Sequence, residues 1–134
     1  MQSGTTHVRT VIVDDSPTFL RTVCSFLNHH EAVEVVATAE NAPEAFRVVE
    51  KHKPDLVLMD LQMPGVNGLE ATAEMHRRFP ETRIIMVTGH DNPELRRASQ
   101  EMGAEGFVSK SCLAQELPAM LAHILASLEA DPGI

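Results

Sequence analysis

A chain of 134 residues, 43% hydrophobic and 22% charged, is one domain with room for a single good core. Its formal net charge of −8 excludes direct nucleic-acid binding by this chain, which has nothing to replace the counterions of a phosphate backbone. Cys24 and Cys112 lie far apart without metal-type spacing, no apolar run approaches membrane-spanning length, and residues 1–10 are polar without a signal-peptide core. These features predict a soluble cytoplasmic domain with unpaired thiols and no membrane contact.

Val8 to Val13 reads as a first strand ending in Asp14-Asp15, and Ser16-Pro17 as a helix cap with proline in the first turn. Phe19, Leu20, Val23, Phe26 and Leu27 then recur at helical spacing. Val33 to Ala39 is a valine-rich second strand. Asn41 can cap a second helix that buries Ala45, Phe46 and Val49 and ends near His52, where Lys53-Pro54 breaks it. The apolar run Leu56 to Met59 reads as a strand buried on both faces, and it stops on Asp60. Met63-Pro64-Gly65 and Asn67-Gly68 mark an irregular loop after it.

Gly68 starts a third helix with Leu69, Thr72, Met75 or His76, and Phe79 inward, closed by Pro80. Ile84 to Val87 is a fourth strand ending in Thr88-Gly89-His90. Asp91 or Asn92 caps a fourth helix that turns Leu95, Ala98 and Met102 inward, and Gly103 suits the left-handed residue at its end. Gly106 to Ser109 is a fifth strand ending in Lys110. Pro118 belongs in a first helical turn, so the last helix is placed from Gln115 or Glu116 to about Leu128, with Leu117, Leu121, Ile124 and Leu128 buried and a frayed tail from Ala130. The seven methionines read as core filler.

Strand and helix alternate five times, which predicts an α/β domain: a doubly wound, five-stranded parallel sheet with helices on both faces. The weakly apolar second strand suits an edge, as in the order 2-1-3-4-5. In such a sheet the carboxyl ends of the strands share one crevice. Asp14 and Asp15, Asp60, Thr88 and Lys110 would meet there. Each has an ordinary structural role when taken alone; their joint placement at strand ends is what points to a site. Three crowded carboxylates call for a cation, and hard oxygen donors suit Mg²⁺. A metal beside a further carboxylate is a setting for phosphoryl transfer, in which Thr88, Lys110 and loop amides hold phosphoryl oxygens and a carboxylate is the acceptor.

Asp14-Asp15, Asp60 with Met63-Pro64 and Gly68 after it, Thr88, and Gly103-Ala104 leading through Phe107 to Lys110 resemble the receiver domain of bacterial two-component response regulators. The resemblance runs from Val8 to about Leu128, so that 1–134 is a single receiver domain with its core at about 8–128. It is closest to receivers that precede a helix-turn-helix output domain. The resemblance implies a flavodoxin-like sheet of order 2-1-3-4-5. It implies that Asp60 accepts a phosphoryl group from a sensor histidine kinase. Asp15, Asp60 and the Gln62 backbone carbonyl would ligate Mg²⁺, with Asp14 acting through a water. Lys110 would pair with the phosphoryl group, and Thr88 would move to hydrogen-bond it. Phe107 would then turn inward and alter the surface of the fourth helix, fifth strand and fifth helix, where an output partner or a second copy docks. The domain would be a switch and not an enzyme, regulating transcription through a DNA-binding domain absent from this chain.

Two positions depart from the family pattern. Ser111 stands where many receivers have proline, which leaves the isomer of the Lys110–Ser111 bond open, and Phe107 replaces the commoner tyrosine. Gln62 and His90, each two residues beyond Asp60 and Thr88, are expected to set the lifetime of the phosphorylated state. A metal-dependent phosphatase would need an acid at Gln62, and a flavin carrier would not place Asp14-Asp15 in its phosphate loop. Two roles stay open on this fold: a stand-alone receiver that binds a partner directly, and a piece of a longer transcriptional regulator.

Overall fold

Burial on both faces of the central strands decides the architecture. The computed structural model describes residues 7–63, 66–89 and 92–130. Strands β1 (Val8–Val13), β2 (Val33–Ala39), β3 (Leu56–Asp60), β4 (Arg83–Thr88) and β5 (Gly106–Ser109) form one parallel sheet in the order 2-1-3-4-5, as expected. Helices α1 (Pro17–Asn28), α2 (Ala42–His52), α3 (Gly68–Arg78), α4 (Pro93–Glu101) and α5 (Leu113–Ala130) connect and cover it. Successive side chains of a strand point to opposite faces. Leu56 and Leu58 therefore join Leu20, Leu27, Leu117 and Ile124 beneath α1 and α5. Val57 and Met59 join Ala45, Val49 and Met75 beneath α2 and α3. Met59, Met63, Met75 and Met86 are buried as core filler, whereas Met102 and Met120 are half-buried and Met1 lies outside the described residues.

β2 takes the edge, and its pairing with β1 slips by one residue between Thr10 and Val11. The helices begin where their caps permit. Ser16, Asn41, Asn67 and Asn92 accept amide hydrogens from the first turns of α1, α2, α3 and α4, each contributing about 1 kcal/mol. Asn92 is therefore the cap of α4. Pro64 and Gly65, His90, the alternative cap Asp91 and the tail beyond Ala130 lie outside the described residues.

Three expectations need correction, and one open alternative is decided. The last helix starts at Leu113, after a 3-10 turn over Lys110–Cys112, and not at Gln115 or Glu116. Pro118 is thus the sixth helical residue and leaves the Ala114 carbonyl without its amide donor. Burial of Leu113 and Leu117 outweighs that loss, and the Ser109 N–H donates to Glu116 Oε1 at 3.0 Å across the junction. In α4 the buried side chain is Ser99, while Leu95, Ala98 and Met102 are only half-buried. In α3, Met75 is the inward residue and His76 is exposed. Finally, Lys110–Leu128 is long and apolar enough to cross a membrane by length and composition. Its Leu113, Leu117, Leu121 and Ile124 are instead buried in the core of the sheet's α1/α5 face. The described peptide bonds are all trans, Lys110–Ser111 included.

Two backbone positions carry testable costs. Lys53 ends α2 in the left-handed region at φ 48° and ψ 61°, which disfavours any side chain. Lys53→Gly is expected to raise stability by about 0.5–1 kcal/mol in urea unfolding. At the start of α3, a Cβ on Gly68 would collide with the Leu61 carbonyl, whose backbone cannot yield cheaply. Gly68→Ala is expected to cost about 1–3 kcal/mol in the same assay.

Candidate functional site

The strand ends deliver their polar residues to one place, as the alternating pattern predicts. Asp14 follows β1 and Asp60 ends β3, with 1% and 3% exposure respectively, while Asp15 is exposed beside them. One carboxylate oxygen from each of the three lies within 4.8 Å of the others. Thr88 ends β4, fully buried, in register with Ser109 of β5. Lys110, the next residue, sends its ammonium back over the acids, 2.8 Å from Asp14 Oδ2 and 3.7 Å from Asp60 Oδ1. The structure thus brings together Asp14, Asp15, Asp60, Thr88 and Lys110.

The acids differ in environment. The Asp14 Oδ1 atom accepts the Ser16 amide hydrogen at 2.8 Å, which also fixes the start of α1. Its Oδ2 has the ammonium nearby but no aligned hydrogen-bond donor among the described residues. Asp60 Oδ1 accepts from the Gln62 N–H at 3.1 Å. Burial is the main force on Asp60 and pushes its carboxyl up to about 6. The charges of Asp14 and Asp15 push the same way, while the Gln62 amide and Lys110 oppose them.

This donor set fits a small hard cation. The oxygens are close, they carry more negative charge than one ammonium offsets, and a buried Asp14 oxygen has no aligned donor. Mg²⁺ takes carboxylate oxygens and keeps several waters, which an arrangement open at Asp15 allows. A cleft of about 650 Å³ runs alongside, with Asp15, Gln62 and Asn67 at its polar edge and Leu61, Leu69 and Leu95 among its apolar walls.

Phe107 of β5 is already turned in, at 8% exposure, among the core residues that include Met59 and Met86. The Arg96 guanidinium of α4 lies over its ring, 4.8 Å from the centroid. Gln62 is exposed beside Asp60. Three contributors escaped sequence reading: Asn67 as the cap of α3, the Ser109–Glu116 link, and the Phe19 ring 4.3 Å from the Lys110 ammonium. Asn67-Gly68 was legible as a loop, but a cap there shows only once the helix start is fixed.

Residues 10–122 match the response regulator receiver domain. The chain belongs to this family. The receiver is 39% identical over 111 residues to the oxygen regulatory protein NreC of Staphylococcus haemolyticus, a match covering 82% of this chain and 51% of that one. It is 34% identical over 116 residues to the transcriptional regulatory protein DegU of Brevibacillus brevis, covering 87% and 49%. It therefore spans about half the length of the curated relatives it matches. Among solved structures, a two-component response regulator of the LuxR family from Aurantimonas sp. superposes with a TM-score of 0.85 at 34% identity, over 91% of this receiver and 87% of that chain. The signal receiver domain of the putative response regulator NarL from Mycobacterium tuberculosis gives 0.79 at 30% identity, over 89% and 97%.

The raised Asp60 carboxyl has a stability consequence. Between the ordinary value of 3.8 and about 6, the folded receiver holds a proton that the unfolded chain has released. Without metal, this group's contribution to stability therefore falls as pH rises through that window and levels off above about 7. Asp60→Asn removes the effect and is expected to be the more stable protein at pH 7.5, by about 2–3 kcal/mol. Denaturant unfolding of both proteins from pH 4 to 8, as parent minus variant, checks this; a difference favouring the parent at high pH would refute it.

Proposed function

We propose that this receiver is a phosphorylation switch in which Asp60 accepts a phosphoryl group from a phosphohistidine of a sensor histidine kinase. The observation that carries the reading is the Lys110 ammonium held over a buried acid pair at the ends of β1 and β3, with the Thr88 hydroxyl on the neighbouring strand end. An Asp60 carboxylate oxygen attacks phosphorus, the phosphorus–nitrogen bond breaks, and the imidazole leaves with the electron pair. Lys110 meets the charge on the phosphoryl oxygens, and Thr88 turns its hydroxyl to them. Asp15, Asp60 and the Gln62 carbonyl would hold Mg²⁺, with Asp14 acting through a water. When bound, the ion neutralises the carboxylates and the incoming phosphoryl group. The chain promotes its own phosphoryl transfer and is not otherwise an enzyme.

The readout runs through Thr88 and Phe107, which link the site to the surface of α4, β5 and α5. We take that surface as the docking face for an output partner or a second copy. DegU is named a transcriptional regulatory protein and the chain covers about half of it, and the similar RcsB response regulator of Salmonella typhimurium has been solved in a study of DNA interaction, which supports a role in control of transcription through a further DNA-binding part. The receiver of RcsB from Salmonella enterica, 29% identical, has been solved with the phosphomimetic BeF3⁻, which supports a phosphorylated form as the working state.

Incubation with Mg²⁺ and acetyl phosphate, followed by intact mass measurement, tests the acceptor. One phosphoryl group on the parent and none on Asp60→Asn is expected; the same mass gain on both would move the acceptor elsewhere. Thr88→Ala is expected to take up the phosphoryl group yet lose most of the change in amide exchange over α4 and β5 that phosphorylation produces in the parent. An undiminished exchange response in that variant would remove Thr88 from the switch.

A further inference from the structure

Lys110 stands at the start of a 3-10 turn, with a side chain that is 27% exposed and has many rotamers open to it. The carboxylates of Asp14 and Asp60 draw its ammonium in, and an aromatic face beside it would narrow its choice of rotamer further. The ring of Phe19 does so, with its centroid 4.3 Å from Nζ. The ring is itself placed by the loop that carries the acids. Asp14 Oδ1 accepts the Ser16 N–H at 2.8 Å, and Ser16 Oγ accepts the Phe19 N–H at 3.2 Å. The Phe19 ring meets Lys110 Nζ, and Nζ returns to Asp14 Oδ2 at 2.8 Å. Four contacts close a circuit through one buried carboxylate, one helix cap, one aromatic face and one ammonium.

We propose that Phe19 is a positioning residue for phosphoryl transfer, its ring face seating the Lys110 ammonium over Asp14 and Asp60. The inference rests on the reading of Asp60 as phosphoacceptor and Lys110 as its cationic partner. Phe19 touches neither phosphoryl donor nor acceptor in this scheme; it acts by keeping Lys110 from drifting outward. A ring face is what the role requires, so an aliphatic side chain of similar bulk fills the space without holding the charge.

The test compares the parent with Phe19→Leu and Phe19→Tyr, using acetyl phosphate as donor at saturating Mg²⁺. In the parent, the Lys110 ε-methylene protons, identified by their loss in Lys110→Arg, are expected upfield because they lie over the ring. In Phe19→Leu that shift disappears, and the maximum phosphorylation rate falls three- to tenfold with the half-saturating donor concentration within twofold of the parent's. Phe19→Tyr restores both the shift and at least half of the rate. Phe19→Met takes the place of the leucine variant if the latter does not fold. An absent upfield shift in the parent, an unchanged rate in the variant lacking the ring, or a loss that tyrosine does not repair would each overturn the proposal while leaving the acceptor reading intact. A parent that takes up no phosphoryl group, or an Asp60→Asn variant that does, would remove that reading and this inference with it.

Discussion

Two carboxylates that are almost wholly buried, with a third exposed beside them, make the site an electrostatic debt that the fold must offset locally. Asp14 and Asp60 lie at the ends of adjacent strands, so the parallel pairing of β1 with β3 forces them together whatever the side chains prefer. Burial in this poorly solvated place raises the proton affinity of Asp60, and the neighbouring charges of Asp14 and Asp15 raise it further. Lys110 answers part of that charge, and it does so only because β5 ends two strands away, beyond β4, on the same edge of the sheet. The remaining imbalance favours a divalent cation and then a phosphoryl group that brings its own oxygens. The same arrangement that disfavours the charged acids therefore suits them to hold a cation.

The Asp60 loop shows how tightly the surroundings are tied to this cluster. Asp60 accepts the Gln62 amide, Leu61 donates its N–H to the Val87 carbonyl at 3.3 Å, and the Leu61 backbone lies where a Cβ on Gly68 would be. A side chain at 68 would press on the residue next to Asp60. Asn67, accepting amides of Leu69 and Glu70, starts α3 at that same point. Helix start, close backbone approach and the setting of Asp60 are thus one structural decision shared by Asp60, Leu61, Asn67 and Gly68.

Much of this was legible in the sequence because strand ends and caps leave strong local signals. An apolar run stopping on Asp60, and Asp14-Asp15 followed by Ser16-Pro17, locate both acid-bearing loops without reference to anything distant. What escaped was either long-range or a contest between local and tertiary terms. Pro118 argues locally for a first turn, yet the pull of Leu113 and Leu117 into the core carries the helix past it. In α4 the helical spacing points to Leu95, Ala98 and Met102 as the inward face, but small Ser99 is the buried residue and those three are half-buried. The contact of Phe19 with Lys110 joins residues far apart in the chain, and the apolar stripe of α1 gave Phe19 only a core role.

The seating of α4 bears on how a signal could leave the site. Beneath α5, Leu117, Leu121 and Ile124 are all buried, whereas α4 offers only Ser99 to the interior, with an Oγ that has no hydrogen-bond partner among the described residues. A buried hydroxyl without a partner costs free energy, so Ser99 adds less to the docking of α4 than the buried leucines add to that of α5. It lies between Thr88 at the end of β4 and Phe107 of β5, and it lends Arg96 to cover the Phe107 ring. Phe107 lacks the hydroxyl that would draw a tyrosine toward water, and the guanidinium favours the ring where it already lies. Little free energy is then left for the ring itself to release on phosphorylation. On the switch proposed above, a change in the α4 surface would start from Thr88, with Phe107 following as a core residue and not leading as a lever.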